Sequence, residues 1–225
     1  MSVKISIGKV SQNISRIGRF LFKIYIEECK WKFGQTTPSE LRLSKDDFGN
    51  DILVDKFMET AIWALAFDDN DDIIGCVRLI DGATEDDIEL FGYRDRSETI
   101  QEIKEDNINK DAIEINRLAI SFEHRGKNIF PMMVCGLAKW LKKNKKDVSL
   151  VFTIADSKNL DSSALIYYSI RLGFRKYGNT FKYEDNDPYP VQVFLGNSDT
   201  LVNKVLAWEI GHNQDKDQAL LKSMV

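Results

Sequence analysis

Apolar residues recur along this chain at two spacings, and each change of spacing marks an element. Val3 to Ile7 alternate apolar with polar, the period of a strand with one covered face. Ile14, Ile17, Leu21, Ile24 and Tyr25 then follow helical spacing and predict an amphipathic helix. Residues 34–51 are polar, with Pro38, Gly49 and several acids, and predict a surface loop. "AIWALAFDDNDDIIGCVRLI" predicts a hairpin of two strands, 61–67 and 73–80, around an Asp/Asn-rich turn. An acidic, irregular stretch over 82–111, with a short helix near 97–104, precedes a strand over 112–120. Ile129, Met132, Met133, Gly136, Leu137, Trp140 and Leu141 share one helical face, and Lys139, Lys142 and Lys143 lie on the other. The apolar run 148–155 predicts a strand covered on both sides. A helix over about 161–172 ending at Gly173, strands near 175–184 and 190–196, and a polar helical tail over 200–225 complete the chain. With no internal repeat and no low-complexity linker, this order describes one mixed α/β domain over residues 1–225.

Composition narrows the classes. The 225 residues are 43% apolar, enough for one sizeable core. A net charge of -4 and a pI near 5.4 exclude a general nucleic-acid binder, which carries a basic surface. Cys29, Cys76 and Cys135 are odd in number and widely spaced, which suits buried thiols in a reducing cytoplasm better than disulfides or a zinc site. The first twenty residues lack the continuous apolar core of a signal peptide, and no run reaches the roughly 20 apolar residues of a membrane span. The expectation is a cytoplasmic protein without metal.

Candidate chemistry concentrates in "EINRLAISFEHRGKNIFPMM", residues 114–133, where a strand passes through Arg125, Gly126 and Lys127 into a helix with Pro131 in its first turn. Unpaired N–H groups and the positive end of the helix dipole favour an anion there, and the two cations add to it. An ordinary solvated strand-to-helix loop is the other reading. Neither G-x-G-x-x-G nor the P-loop pattern G-x-x-x-x-G-K-[ST] occurs.

"LAISFEHRGKNIF" resembles the acyl-thioester-binding segment of the GNAT superfamily of N-acyltransferases, a strand followed by R/Q-x-x-G-x-G/A and a helix. "NLDSSALIYYSIRLGFRKYG" resembles that superfamily's second signature. Asn128 and Phe130 stand at the two small-residue positions of the loop. "IIGCVRLI" followed by "IEINRLAI" is similar to autoinducer (acyl-homoserine-lactone) synthases and N-acyl amino acid synthases, with Arg78, Glu114 and Arg117 matching residue for residue. In "DKFMETAIWALA", Asp55 and Phe57 match as well, while Met58 and Leu53 replace acids. The resemblance therefore implies acyl transfer more directly than lactone formation.

It implies a splayed mixed central sheet flanked by helices, opening between strands 112–120 and 148–155. The donor would be acyl-CoA, acetyl-CoA, or acyl-phosphopantetheine on acyl carrier protein, with carrier-bound medium or long acyl groups preferred. Leu118, Ala119 and Ile120 would offer backbone donors to the thioester, and Arg125, Gly126, Lys127, Asn128 and Ile129 would receive its phosphates. Glu114 would take the proton of a small-molecule amine, and Tyr168, with Tyr167 competing, would protonate the leaving thiolate. Arg78, Arg117 and Asp55 would hold the acceptor. Strand alternation puts Glu114 and Arg117, three apart, on opposite faces. Trp31, Trp63 and Trp140 read as core, His124 and His212 as bland, and the lysines of 139–146 as a solvated face or a carrier-docking patch. An autoinducer synthase proper and a non-catalytic module of the same fold stay open as alternatives.

Overall fold

The computed structural model describes residues 2–10, 13–31, 40–81, 89–90, 92, 98, 112–144, 148–155, 170–182 and 190–209. The alternating N-terminal stretch forms β1 (Lys4–Gly8), and the first helical pattern forms α1 (Ile14–Leu21), which runs into a π-helical segment, Phe22–Glu28. Ile17, Leu21 and Ile24 are almost fully buried, and burying each such side chain stabilises by about 2 kcal/mol.

The expected surface loop over 34–51 is corrected by the structure. Arg42–Lys45 (β2) and Asp51–Val54 (β3) form a small antiparallel hairpin. Its turn is held by the Asp46 carboxylate, which accepts from the N–H groups of Phe48 (3.0 Å) and Asn50 (2.9 Å), while Leu41, Ile52 and Leu53 are buried behind it. The polar turn residues hid two very short strands.

The predicted hairpin forms as β4 (Ile62–Phe67) and β5 (Ile73–Asp81). β6 (Ile113–Ile120), a 3-10 turn Phe122–His124, α2 (Ile129–Asn144) and β7 (Ser149–Ala155) follow. After β8 (Arg175–Phe181) and β9 (Val191–Asn197), residues 198–209 form α3. All but residue 98 of the predicted helix near 97–104, and nearly all of the one over 161–172, lie outside the described residues. Gly173 has the left-handed φ of +94° expected of a residue just past a helix end, and its N–H donates to Ile170 O at 3.0 Å.

The large sheet runs β1-β4-β5-β6-β7-β9-β8, mixed because β6 and β7 are parallel. That junction is short. Pairing joins only Ile113 to Leu150 and Glu114 to Val151, so residues 115–120 and 152–155 diverge. The splayed mixed sheet flanked by helices is thus the architecture observed. α2 covers one face through Ile129, Met133, Leu137, Ala138 and Leu141, and α1 and Trp63 cover the other. The buried face of α2 also takes in Val134 and Cys135, while Met132, Gly136 and Trp140 line a groove beside β1. Cys76 and Cys135 are buried as expected, but Cys29 is exposed at the end of the π-helical segment. Among the described residues no helix is long and apolar enough to cross a membrane.

α1 lies on β3 at a close approach. A Cβ on Gly18 would fall 2.8 Å from the Leu53 carbonyl oxygen and 3.1 Å from Ile52 Cβ, and the backbone of a paired strand cannot easily retreat. Gly18→Ala is therefore expected to destabilise the fold by about 1–3 kcal/mol despite alanine's better helix propensity, read as a lower denaturant midpoint at unchanged slope.

Candidate active site

Alternation along β6 would send Glu114 and Asn116 to one face and Arg117 to the other. The structure corrects this. Asn116 pairs with Arg78 and Ala119 with Cys76, so Val77 of β5 faces two β6 residues, Arg117 and Leu118. This is a β-bulge, and Arg117 takes φ +51° within it. The extra residue brings Arg117 to the same face as Glu114, Asn116 and Arg78.

These residues meet two carboxylates contributed from elsewhere. Arg78, fully buried, donates from Nη1 to both oxygens of Asp55 (2.6 and 2.8 Å), from Nε to Asn116 Oδ1 (2.7 Å) and from Nη2 to Glu89 (3.4 Å). Its guanidinium also lies against the rings of Phe57 (5.5 Å) and Trp63 (5.3 Å). Arg117 donates to Asp55 and Glu89, each at 3.1 Å from Nη2. Asp55 is held in turn by the Phe57 N–H (3.0 Å) at the start of the turn leading to Met58, whose carbonyl accepts from the Trp63 indole at 3.1 Å. Met58 itself is core.

Glu114 stands where β6 and β7 part. Its Oε2 accepts from the Leu90 N–H and its Oε1 from the Asn116 amide, both at 3.1 Å. Burial, and next the nearby Glu89 charge, raise its carboxyl from 4.5 to about 7, against the donations from Leu90 and Asn116. Burial acts in the same direction on Asp55, but the Arg78 and Arg117 guanidiniums outweigh it and hold that carboxyl below its usual range. Cys76, pushed up to about 12 by burial, stays a thiol and donates to Arg117 O at 3.4 Å, so it offers no nucleophile. The half-buried Tyr25 donates its hydroxyl to Leu118 O at 3.4 Å, bracing the strand beyond the bulge.

The loop after β6 carries the candidate anion site. Gly126 (φ +77°) and Asn128 (φ +60°) both adopt left-handed backbone, and a Cβ on Gly126 would meet nothing within 4 Å. The first intrahelical bond of α2 runs from Met132 N to Asn128 O (3.2 Å), which leaves the first-turn N–H groups outside the ladder. Arg125 is half-exposed, with Nε on Ile120 O (3.2 Å) and Nη2 3.8 Å from Glu28. Phe130 packs against the core beneath α2. Clefts of about 1030 and 790 Å³ flank the loop, one bordered by Lys127 and Asn128, the other by Ser121, Glu123 and His124; neither includes the Glu114 cluster. His124 bonds Ser121 Oγ at 2.7 Å within the turn.

Trp63 is core as expected, whereas Trp31 is exposed and Trp140 lines the groove. Lys139 pairs with Glu209 at 2.6 Å. Tyr167, Tyr168 and His212 lie outside the described residues. Sequence reasoning missed Glu89 and Asn116. Glu89 is one acid among many in an acidic stretch, while Asn116 had a signal, a polar residue two from Glu114 and so on the same face. Among the described residues no group of three or more His, Cys, Asp or Glu is arranged to hold a metal ion.

A family profile described as an acetyltransferase (GNAT) domain matches residues 22–135, taking in the charged cluster and the loop into α2. No curated protein matches the chain. Among solved structures, it shares its fold with MesI, a CoA-dependent acyl-homoserine lactone synthase, at TM-score 0.58 and 15% identity, covering 90% of this chain and 93% of that one. BjaI, another CoA-dependent acyl-homoserine lactone synthase, solved with SAM and isopentyl-CoA, aligns at TM-score 0.59 and 12% identity over 90% and 88% of the two chains. An acyl-CoA N-acyltransferase from Pseudomonas aeruginosa aligns at TM-score 0.52 and 12% identity over 87% and 99%. At these identities the likeness is one of fold.

The raised carboxyl of Glu114 has a consequence for stability. Its folded value lies above its unfolded one, so the protonated form favours folding, and that contribution is lost as pH rises from 4.5 through about 7. Glu114→Gln is always neutral and escapes the loss. Between pH 5 and pH 8 the wild type should lose about 2–3 kcal/mol of stability relative to this variant, measured by denaturant unfolding at both pH values. Parallel pH dependences of the two proteins would contradict the raised carboxyl.

Proposed function

Because the chain belongs to the GNAT acetyltransferase family, we propose that it moves an acyl group from an acyl thioester to a small-molecule amine, with Glu114 as the base. The observation that carries this reading is the buried Glu114 carboxylate at the vertex of the diverging strands, poised to exchange a proton near neutrality. A base works best when its pKa lies near the working pH. Arg117, Arg78 and Asp55 hold the acceptor face, with Arg117 the more exposed guanidinium and Arg78 a brace behind it.

The acceptor nitrogen, once Glu114 has taken its proton, attacks the thioester carbonyl. The C–N bond forms, the C–S bond breaks, and the thiolate leaves with a proton. Tyr168 is the residue to supply that proton, on its match to the family signature. Backbone donors at Leu118 and Ile120, on the stretch of β6 that has left β7, polarise the carbonyl, while the intervening Ala119 N–H faces Cys76 on β5. Arg125, Gly126, Lys127, Asn128 and Ile129 receive the donor's phosphate. The donor we favour is acyl-CoA, in keeping with the two CoA-dependent synthases that share the fold. Acyl carrier protein is the alternative, supported by Lys127 before α2 and Lys143 on it, which border one groove beside the Lys139–Glu209 pair.

Glu114→Gln should lower turnover about 100-fold at pH 7, with recovery toward higher pH as the amine loses its proton unaided. The assay is thiol release from acetyl- and longer acyl-CoA with a panel of amines, and undiminished turnover would remove Glu114 from the mechanism. Reversing the charges of Arg125 and Lys127 together should raise the donor's Kd at least about tenfold, 1.4 kcal/mol, in calorimetric titrations with acyl-CoA and with matched acyl carrier protein. An unchanged Kd for both would refute the loop as the phosphate site.

A further inference from the structure

The base proposed above does not sit alone, and the residue that governs it comes from a segment sequence reasoning left unassigned. Asn116 is oriented by Arg78, whose Nε–H donates to its Oδ1 at 2.7 Å. Its amide nitrogen is thereby turned toward two carboxylates, Glu89 Oε2 and Glu114 Oε1, each at 3.1 Å. An amide has two N–H donors, so these bonds use both. The residue after Glu89 completes the grip, since the Leu90 N–H donates to the other Glu114 oxygen at 3.1 Å. Glu89 is only 7% exposed and is itself anchored by Arg117 (3.1 Å) and Arg78 (3.4 Å).

Among the described residues, the charges around Glu114 can be named from each neighbouring element. The segment 89–90 supplies Glu89. β5 supplies Arg78 and the neutral Cys76, and β6 supplies Arg117. Asp55 lies behind the two guanidiniums, Tyr25 contributes a neutral hydroxyl farther along β6, and β7 contributes only apolar Val151. Asp55 and Glu89 match Arg78 and Arg117 in number. Among the described residues Glu114 is the carboxylate to which no guanidinium donates, so its ionisation adds negative charge to a buried site.

We propose that Glu89 is the positioning residue for Glu114, aiming the base through the shared Asn116 amide and the adjoining Leu90 N–H. Glu89 also places a second carboxylate beside Glu114 across the shared amide, and removing its charge takes away a repulsion that an ionised Glu114 must otherwise bear. The inference builds on the proposed function in calling Glu114 the base, but its test needs no turnover.

The experiment is a ¹³C NMR titration of the side-chain carboxyls of the full chain labelled at glutamate, without ligand. Glu114 is assigned by its absence in Glu114→Gln. The wild-type midpoint is expected near 7, and Glu89→Gln should lower it by at least about one pH unit, a tenfold weaker hold on the proton. Glu89→Asp, which keeps the charge, should leave the midpoint above that of the Gln variant. If Glu89→Gln does not fold, Glu89→Ser removes the same charge and carries the same expected fall. An unmoved midpoint in a folded charge-removing variant, or equal midpoints for Asp and Gln, overturns the proposal. Because turnover is not read, a negative result here leaves Glu114's own role to the turnover assay, and the two failures are distinguishable.

Discussion

Val77 of β5 has two residues opposite it on β6, and much of the site depends on that one extra residue. In regular pairing the Arg117 side chain would point into the core beneath α2, where the apolar faces of β5 and β6 pack. With the bulge it turns to the α1 side and closes a ring of charge with Asp55, Arg78 and Glu89. A left-handed backbone at a non-glycine residue costs about 1–3 kcal/mol, and it persists because the Arg117 ion pairs with Asp55 and Glu89 hold it in place. The dependence is mutual. A buried ion pair adds little net stability when complete, but removing one partner leaves a charge uncompensated at a cost of about 3–5 kcal/mol.

β6 then acts as a spine for every part of the proposed chemistry. At its start, Glu114 marks the last pairing with β7; at its middle lies the bulge; beyond that, residues 118–120 run along the opening; and at its end the chain enters the loop to α2. Two different cores hold the strand in place. Ile113, Leu118 and Ile120 belong to the α2 side, while Ala119 belongs to the α1 side with Trp63 and Cys76. The π-helical segment buttresses the same strand from outside. Tyr25 donates to Leu118 O, and Glu28 accepts from the Phe122 N–H at 3.3 Å. Local wide-helix geometry often accompanies functional sites, and here it delivers two polar side chains, three residues apart, to successive points along β6 and its loop.

The buried charges also explain why no cysteine enters the scheme. The two guanidiniums favour a thiolate at Cys76, but desolvation is larger and keeps the sulfur protonated. The same desolvation, acting on Glu114 beside another carboxylate, brings a carboxyl into the range where it can exchange protons at neutral pH. One physical effect, burial, thus silences one group and tunes the other.

What the sequence determined by itself was whatever depends on local periodicity and local backbone chemistry. The hairpin of β4 and β5, the strands β6 and β7, helix α2, and Gly173 just past a helix end follow from spacing and residue type, because neighbours in sequence suffice to define them. The family motifs likewise located Arg78, Glu114 and Arg117. The short β2–β3 hairpin was not legible, since its strands are held by burial of Leu53 against α1, a contact between residues far apart in the chain. The insertion of β9 between β7 and β8 and the two-residue β6–β7 junction were likewise decided by pairing across the whole sheet. Only the tertiary structure decided on which face Arg117 lies, because alternation predicts the wrong one unless the bulge is known. It alone picked Glu89 out of an acidic stretch, because a carboxylate's role is set by which guanidinium, amide and neighbouring charge the folded chain brings within about 3 Å of it, and no pattern along the sequence carries that information.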